Sequence, residues 1–181
     1  MKKEGRTFSE DELWTYAYQI LKGLHYLHTN NIIHRDIKCL NLFLTKDKVV
    51  KIGDLGVSKI VSHINALHCS RVGTPLYLSP ELIKQIPYDF KVDMWSLGCS
   101  LYHLASLDPP FGGDNLITLG NNIVKTKHKQ LSSILSKDLT GLIDRLLNKK
   151  AERRPTSKEA LDMIPRYIIV IMINVGKIQQ S

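Results

Sequence analysis

The stretch His34-Arg35-Asp36-Ile37-Lys38-Cys39-Leu40-Asn41 places a carboxylate, a cation and a carboxamide within a few residues of one another. Asp36 can accept a proton from a hydroxyl, Lys38 can hold an anionic group, and Asn41 can offer a carbonyl oxygen to a hard metal ion. Together they suit phosphoryl transfer, where catalysis is mostly positioning and charge stabilisation. The same residue types also make an ordinary polar turn, so the elements around them must decide.

Upstream, Ser9 with Glu12 three residues on has the form of a capping box, and Phe8 can staple to Leu13. Leu13, Ala17, Ile20, Leu21, Leu24 and Leu27 then recur at helical spacing, predicting one buried stripe that ends at Asn30 and Asn31. Downstream, Leu42–Leu44 and Val49–Ile52 flank Thr45, Lys46, Asp47 and Lys48, the pattern of a small hairpin. An antiparallel return brings Asp54 back towards Asp36 and Asn41, so two oxygen donors converge.

The polar residues from Val57 to Ser79 predict an extended loop, and Pro80, Glu81 and Leu82 a short helix. A strongly apolar helix follows from Val92 to Leu107, with Trp95, Leu97, Leu101 and Leu104 suggesting burial on several sides, until Pro109 and Pro110 break it. Further helices are predicted near Asn115–Lys125, Lys137–Leu147 and Ser157–Met163.

The chain has 181 residues, enough for one core, and its 43% hydrophobic and 23% charged content is that of a globular domain. Its net charge of +8 is spread over scattered lysines and arginines without a nucleic-acid motif or aromatic ladder, so no nucleic-acid partner is expected. Cys39, Cys69 and Cys99 lack paired metal or redox spacing and fit a reducing compartment. No secretory signal follows Met1, and the longest apolar run, Tyr167–Ile173, is far short of the roughly 20 residues of a membrane helix.

Read in order, HRDIKCLN, the hairpin, DLG, GTPLYLSPE, DMWSLGC and RRPT resemble the large, C-terminal lobe of eukaryotic protein kinases. IKCLNLFLTKDKVVKIGDLGVSKI and VGTPLYLSPELI are most similar in wording to the NIMA-related serine/threonine kinases. The resemblance implies a mainly α fold, a helical bundle with a small β-hairpin at the site, with residues 1–165 as a partial kinase domain and 166–181 as an atypical apolar tail. It implies ATP and Mg2+ as cofactors, a protein substrate bearing serine or threonine, and a cytoplasmic or cytoskeleton-associated, intracellular setting. An activating protein partner is left open.

Carried onto these positions, the resemblance makes Asp36 the general base and Lys38 the neutraliser of phosphoryl charge, a lysine typical of serine/threonine kinases. Asn41 and Asp54 become the magnesium ligands and Phe43 the floor beneath the adenine. Arg35 becomes the cation that meets a phosphorylated activation loop, with Ser70 the candidate acceptor and Ser62 a weaker one, and Thr74 a neighbour of Asp36. Glu81 and Arg154 become a buried structural ion pair. Asp93, on a central helix with Trp95 and Gly98, becomes the carboxylate that bonds the catalytic-loop backbone.

Departures from the pattern are plain. Asp-Leu-Gly stands for the commoner Asp-Phe-Gly, and Ser79 for the alanine of Ala-Pro-Glu. The residues before Phe8 carry no G-x-G-x-x-G and no strand lysine, so the small lobe is expected to be missing, and a non-catalytic docking module is the alternative. The run Tyr167–Ile173 is unlike a kinase ending, and its β propensity and lack of charge predict an aggregation-prone segment or a strand needing a partner.

Overall fold

The computed structural model describes residues 8–55, 59–60 and 75–178. Helix α1 (Glu10–Thr29) starts at Ser9, whose hydroxyl accepts from the Glu12 N–H while the Glu12 carboxylate accepts from the Ser9 N–H at 3.0 Å. This is the reciprocal cap that the sequence predicts. Phe8 packs edge-on against Tyr16, ring centroids 5.7 Å apart. Leu13, Ala17, Ile20, Leu21 and Leu24 are buried and Leu27 packs against the same core at its margin.

Asn30 caps α1, and Asn31 turns the chain at φ 59° into β1 (Ile32–Ile33). The hairpin follows, β2 (Leu42–Leu44) pairing antiparallel with β3 (Val50–Ile52) in the register Leu42 to Ile52 and Leu44 to Val50. One difference from the predicted loop after Asp54 is β4 (Lys59–Ile60), which pairs antiparallel with β1. Two residues are too few to show a period in sequence; the pairing exists because β1 offers an edge.

The helices α2 (Pro80–Ile83), α3 (Lys91–Ser106), α4 (Leu116–Lys125), α5 (Lys137–Leu146), α6 (Ser157–Asp162) and α7 (Arg166–Ile178) complete the described residues. Each of α4, α5 and α6 begins at a side-chain cap, from Asn115, Ser136 and Thr156, so their starts are local decisions. Helix α3 is buried continuously from Val92 to Tyr102 and packs against α1 and α5. Its Trp95 stacks on Phe111, centroids 5.5 Å apart and planes within 8°.

The tail corrects an expectation. Residues 167–173 are helical, lying within α7 rather than forming a strand. Ile168 is fully buried, with Ile169 and Met172 packed against the core, while Val170, Ile171 and Ile173 face outward. Helix α7 lies on α1, and the Tyr167 hydroxyl donates to Asp11 Oδ1 at 2.9 Å. Tertiary burial of one helical face overrides the β propensity of the isoleucines. Among the described residues no helix is long and apolar enough to cross a membrane.

The core also holds titrating groups with opposite signs. Burial pushes the Cys99 thiol well above its ordinary range, and burial raises Cys39 as well. Burial, with Arg154 adding to it, pulls the Lys149 ammonium down to about 8, and that ammonium sits 3.7 Å from the Phe111 ring centroid. The thiols stay protonated in the folded state where unfolded cysteine ionises, near ~8.5. Their contribution is therefore complete below that pH and is lost as pH rises. Lys149 acts the other way, since the unfolded lysine keeps its proton to ~10.4 and stability gains between about 8 and that value. In urea titrations at several pH values from 8 to 10, Cys99→Ala should lose less midpoint than the parent, and Lys149→Met more.

Candidate active site

Asp93 organises the loop that follows β1. It lies fully buried in the first turn of α3, and its carboxylate accepts the His34 N–H on Oδ2 at 2.9 Å and the Arg35 N–H on Oδ1 at 2.8 Å. Arg35 sits at φ 69°, a left-handed conformation that disfavours a residue with Cβ by roughly 1–2 kcal/mol. The charge-assisted bond from Asp93 offsets that strain. Arg35 also reaches the Tyr88 hydroxyl at 3.4 Å. His28, in the last turn of α1, places Nε2 2.9 Å from Asp93 Oδ2, so helix, carboxylate and loop form one hydrogen-bonded unit.

Beyond Arg35 the side chains turn towards one another. Lys38 Nζ donates to Asp36 Oδ2 at 2.7 Å. Asn41 Nδ2 donates to the same oxygen at 2.9 Å and to the Asp36 carbonyl at 2.8 Å. Asp36 and Asn41 are both buried. With the amide nitrogen of Asn41 spent on Asp36, its remaining polar atom is a carbonyl oxygen, the atom a hard cation takes.

The hairpin returns to the same point. Its register sets Gly53 beside Asn41, and the Gly53 N–H donates to the backbone carbonyl of Asn41 at 2.9 Å, leaving the side-chain Oδ1 out of that bond. His34, fully buried, spans the gap: Nε2 lies 3.0 Å from the Gly53 carbonyl, and Nδ1 accepts the Asp36 N–H at 3.3 Å. A neutral ring with its proton on Nε2 satisfies both bonds. Asp54 follows Gly53 at φ 59°, next in the chain to the residue that closes on Asn41.

Phe43 is 57% exposed on β2 and lies over Gly53, where an added Cβ would stand 2.5 Å from the ring. Only glycine allows that approach without moving the ring. Leu55, in the place of the commoner aromatic, is 53% exposed. Ser62, Ser70 and Thr74 lie outside the described residues.

Glu81 and Arg154 stand apart from the reacting groups. They form a two-pronged pair, Arg154 Nη1 donating to Glu81 Oε1 at 2.6 Å and Nη2 to Oε2 at 2.7 Å, with both residues buried. Arg154 also donates to the carbonyls of Lys91 and Asn148, each at 2.8 Å. A shallow recess beside Asp36 is lined by Ile37, Tyr77, Leu78 and Leu82.

Two residues at the site carry no assigned task in the sequence reading. His34 gave no signal beyond its place beside Arg35 and Asp36. His28 did give one: a polar residue four positions after Leu24, continuing a buried stripe, implies a buried partner.

Known proteins similar to this chain show its family. The protein kinase domain family matches residues 1–164. Serine/threonine-protein kinase Nek3 of Oryza sativa subsp. japonica is 44% identical over 160 residues, covering 88% of this chain and 27% of that protein. Serine/threonine-protein kinase Nek5 of Homo sapiens is 38% identical over 174 residues, 92% of this chain and 25% of that protein. A probable serine/threonine-protein kinase nek3 of Dictyostelium discoideum is 40% identical over 164 residues, 88% of this chain and 15% of that protein. The chain thus spans about a quarter or less of the length of these relatives. Since the family match runs unbroken from before α1 through α6, across every residue of the site, the chain belongs to the protein kinase family.

Proposed function

We propose that this chain is the helical large lobe of a NIMA-related kinase domain, and that its site transfers the γ-phosphoryl group of ATP to serine or threonine hydroxyls of a protein. The observation that carries this is the closure of the Asp36 loop on the hairpin's end through Asn41, Gly53 and His34. It gathers a base, a cation and oxygen donors in the order phosphoryl transfer uses.

The donor set fits a magnesium nucleotide. The Asn41 carbonyl oxygen and the Asp54 carboxylate are hard oxygen ligands of the kind Mg2+ takes, and Phe43 offers an exposed aromatic face for the adenine. When bound, the metal nucleotide supplies the phosphoryl group and neutralises its oxygens. Asp36 orients the acceptor hydroxyl and takes its proton, and Lys38 offsets negative charge beside it. Arg35, at the loop's edge, is the cation that a phosphate on Ser70 would meet.

Nucleotide binding is tested by melting with and without Mg·ATP. At a hundredfold excess over Kd, about 2.7 kcal/mol of linkage stabilisation corresponds to roughly 5–10 °C. Asp54→Asn should abolish the rise. A parent chain that neither melts higher with Mg·ATP nor transfers phosphate to a basic serine/threonine substrate refutes the proposal.

A further inference from the structure

The hairpin that brings Asn41 and Asp54 together has three residues per strand, too little to hold its position alone. What it rests on is the face of α1 that carries Gln19 and Gly23. Gln19 stands where a third strand would lie along β3: its Oε1 accepts the Val50 N–H at 2.8 Å, and its Nε2 donates to the Lys48 carbonyl at 3.2 Å. Lys48 is held at φ 59°, a left-handed conformation that lysine seldom adopts, and it is the residue Gln19 grips.

One turn further along the same face, Gly23 leaves bare backbone under the hairpin. A Cβ there would meet Ile52 Cδ1 at 2.7 Å. Ile52 is the last residue of β3 and pairs with Leu42; the residues flanking that pair on the site side are Asn41 and Gly53. Gln19 therefore fixes the turn end of the hairpin, and Gly23 sets the depth of its site end. The exposed Lys48–Glu12 pair, 3.9 Å apart, adds little.

We infer that Gln19 is a positioning residue for the nucleotide half of the site. Its amide acts as a strand mimic on α1, and with Gly23 it sets where Asn41 and Asp54 present their oxygens. This role rests on the kinase reading for its consequence, but not for its geometry.

The test uses the full chain, with Gln19→Leu removing both bonds, Gln19→Glu keeping the acceptor but not the donor, and Gly23→Ala adding a methyl under Ile52. Amide hydrogen exchange reads the hairpin directly, because Val50 N–H reports the Gln19 bond and Gly53 N–H reports closure on Asn41. Two hydrogen bonds of ordinary strength correspond to about a tenfold change or more. Gln19→Leu should exchange Val50 and Gly53 amides about tenfold faster, with amides of α3 and α5 unchanged. Its Kd for Mg·ADP should rise about tenfold while the KM for a peptide substrate stays constant. Gln19→Glu should fall between Gln19→Leu and the parent. Gly23→Ala should weaken Mg·ADP binding without loosening α1, since alanine is the better helix former.

Unchanged exchange at Gly53 in Gln19→Leu, or acceleration spread evenly through the helical core, overturns the inference. Failure of the parent itself to bind Mg·ADP refutes the proposed function instead, and the Gly53 exchange rate still decides the positioning role.

Discussion

Asp36→Asn is expected to lower phosphate transfer roughly a hundredfold to ten-thousandfold, the range of a positioned general base, with Mg·ADP binding retained. The asparagine keeps an oxygen that can accept from Lys38 and Asn41, the two groups that donate to Asp36 Oδ2. Its backbone N–H can still reach His34 Nδ1. What disappears is the negative charge and the capacity to take a proton. Lys38 keeps some solvent exposure, 16% for its side chain, so it can turn its ammonium to water. The fold should therefore survive the substitution, as read by an unchanged cooperative melting transition. Incorporation of labelled phosphate equal to that of the parent would remove Asp36 from the chemistry.

Arg154→Met should have the largest effect on stability. The substitution leaves the Glu81 carboxylate, 4% exposed, without the two-pronged cation it now holds. It also removes one donor from each of the Lys91 and Asn148 carbonyls and takes the guanidinium off Trp95, where it sits 5.0 Å from the ring centroid. Stranding one partner of a buried pair typically destabilises by about 3–5 kcal/mol. In a chain of this length that is a melting decrease of roughly 6–20 °C by calorimetry. The double variant Glu81→Leu with Arg154→Met should recover part of the loss, because desolvation offsets most of what the intact pair contributes. A single variant melting within about 2 °C of the parent would show that the pair is solvated in solution.

Much of the scaffold was legible because its decisions are local. Ser9 with Glu12 announces α1, and the apolar runs Leu42–Leu44 and Val49–Ile52 around a polar turn announce the hairpin. Helix α3 was legible from apolar density alone. Less legible were β4, whose two residues pair only because β1 is there to meet them, and α7. The isoleucines and valines of α7 favour strands in isolation, and nothing in their order announces that Ile168 will be buried in the core.

For the site, residue types alone named the chemistry: a carboxylate, an ammonium and a carboxamide close in sequence, and a second carboxylate one hairpin away. A hairpin closes locally, so the approach of Gly53 to Asn41 was already written in the turn between them. The amino-acid sequence thereby determined which groups meet and what they can do. Tertiary structure decided how they are held. Asp93 reaches the Arg35 backbone across 58 residues and Arg154 reaches Glu81 across 73, two pairings that the family resemblance implied but the residues themselves did not. Gln19 grips Val50 across 31. Such partners share no local signal, because they are chosen by which helix faces pack together and which buried polar groups must then be satisfied.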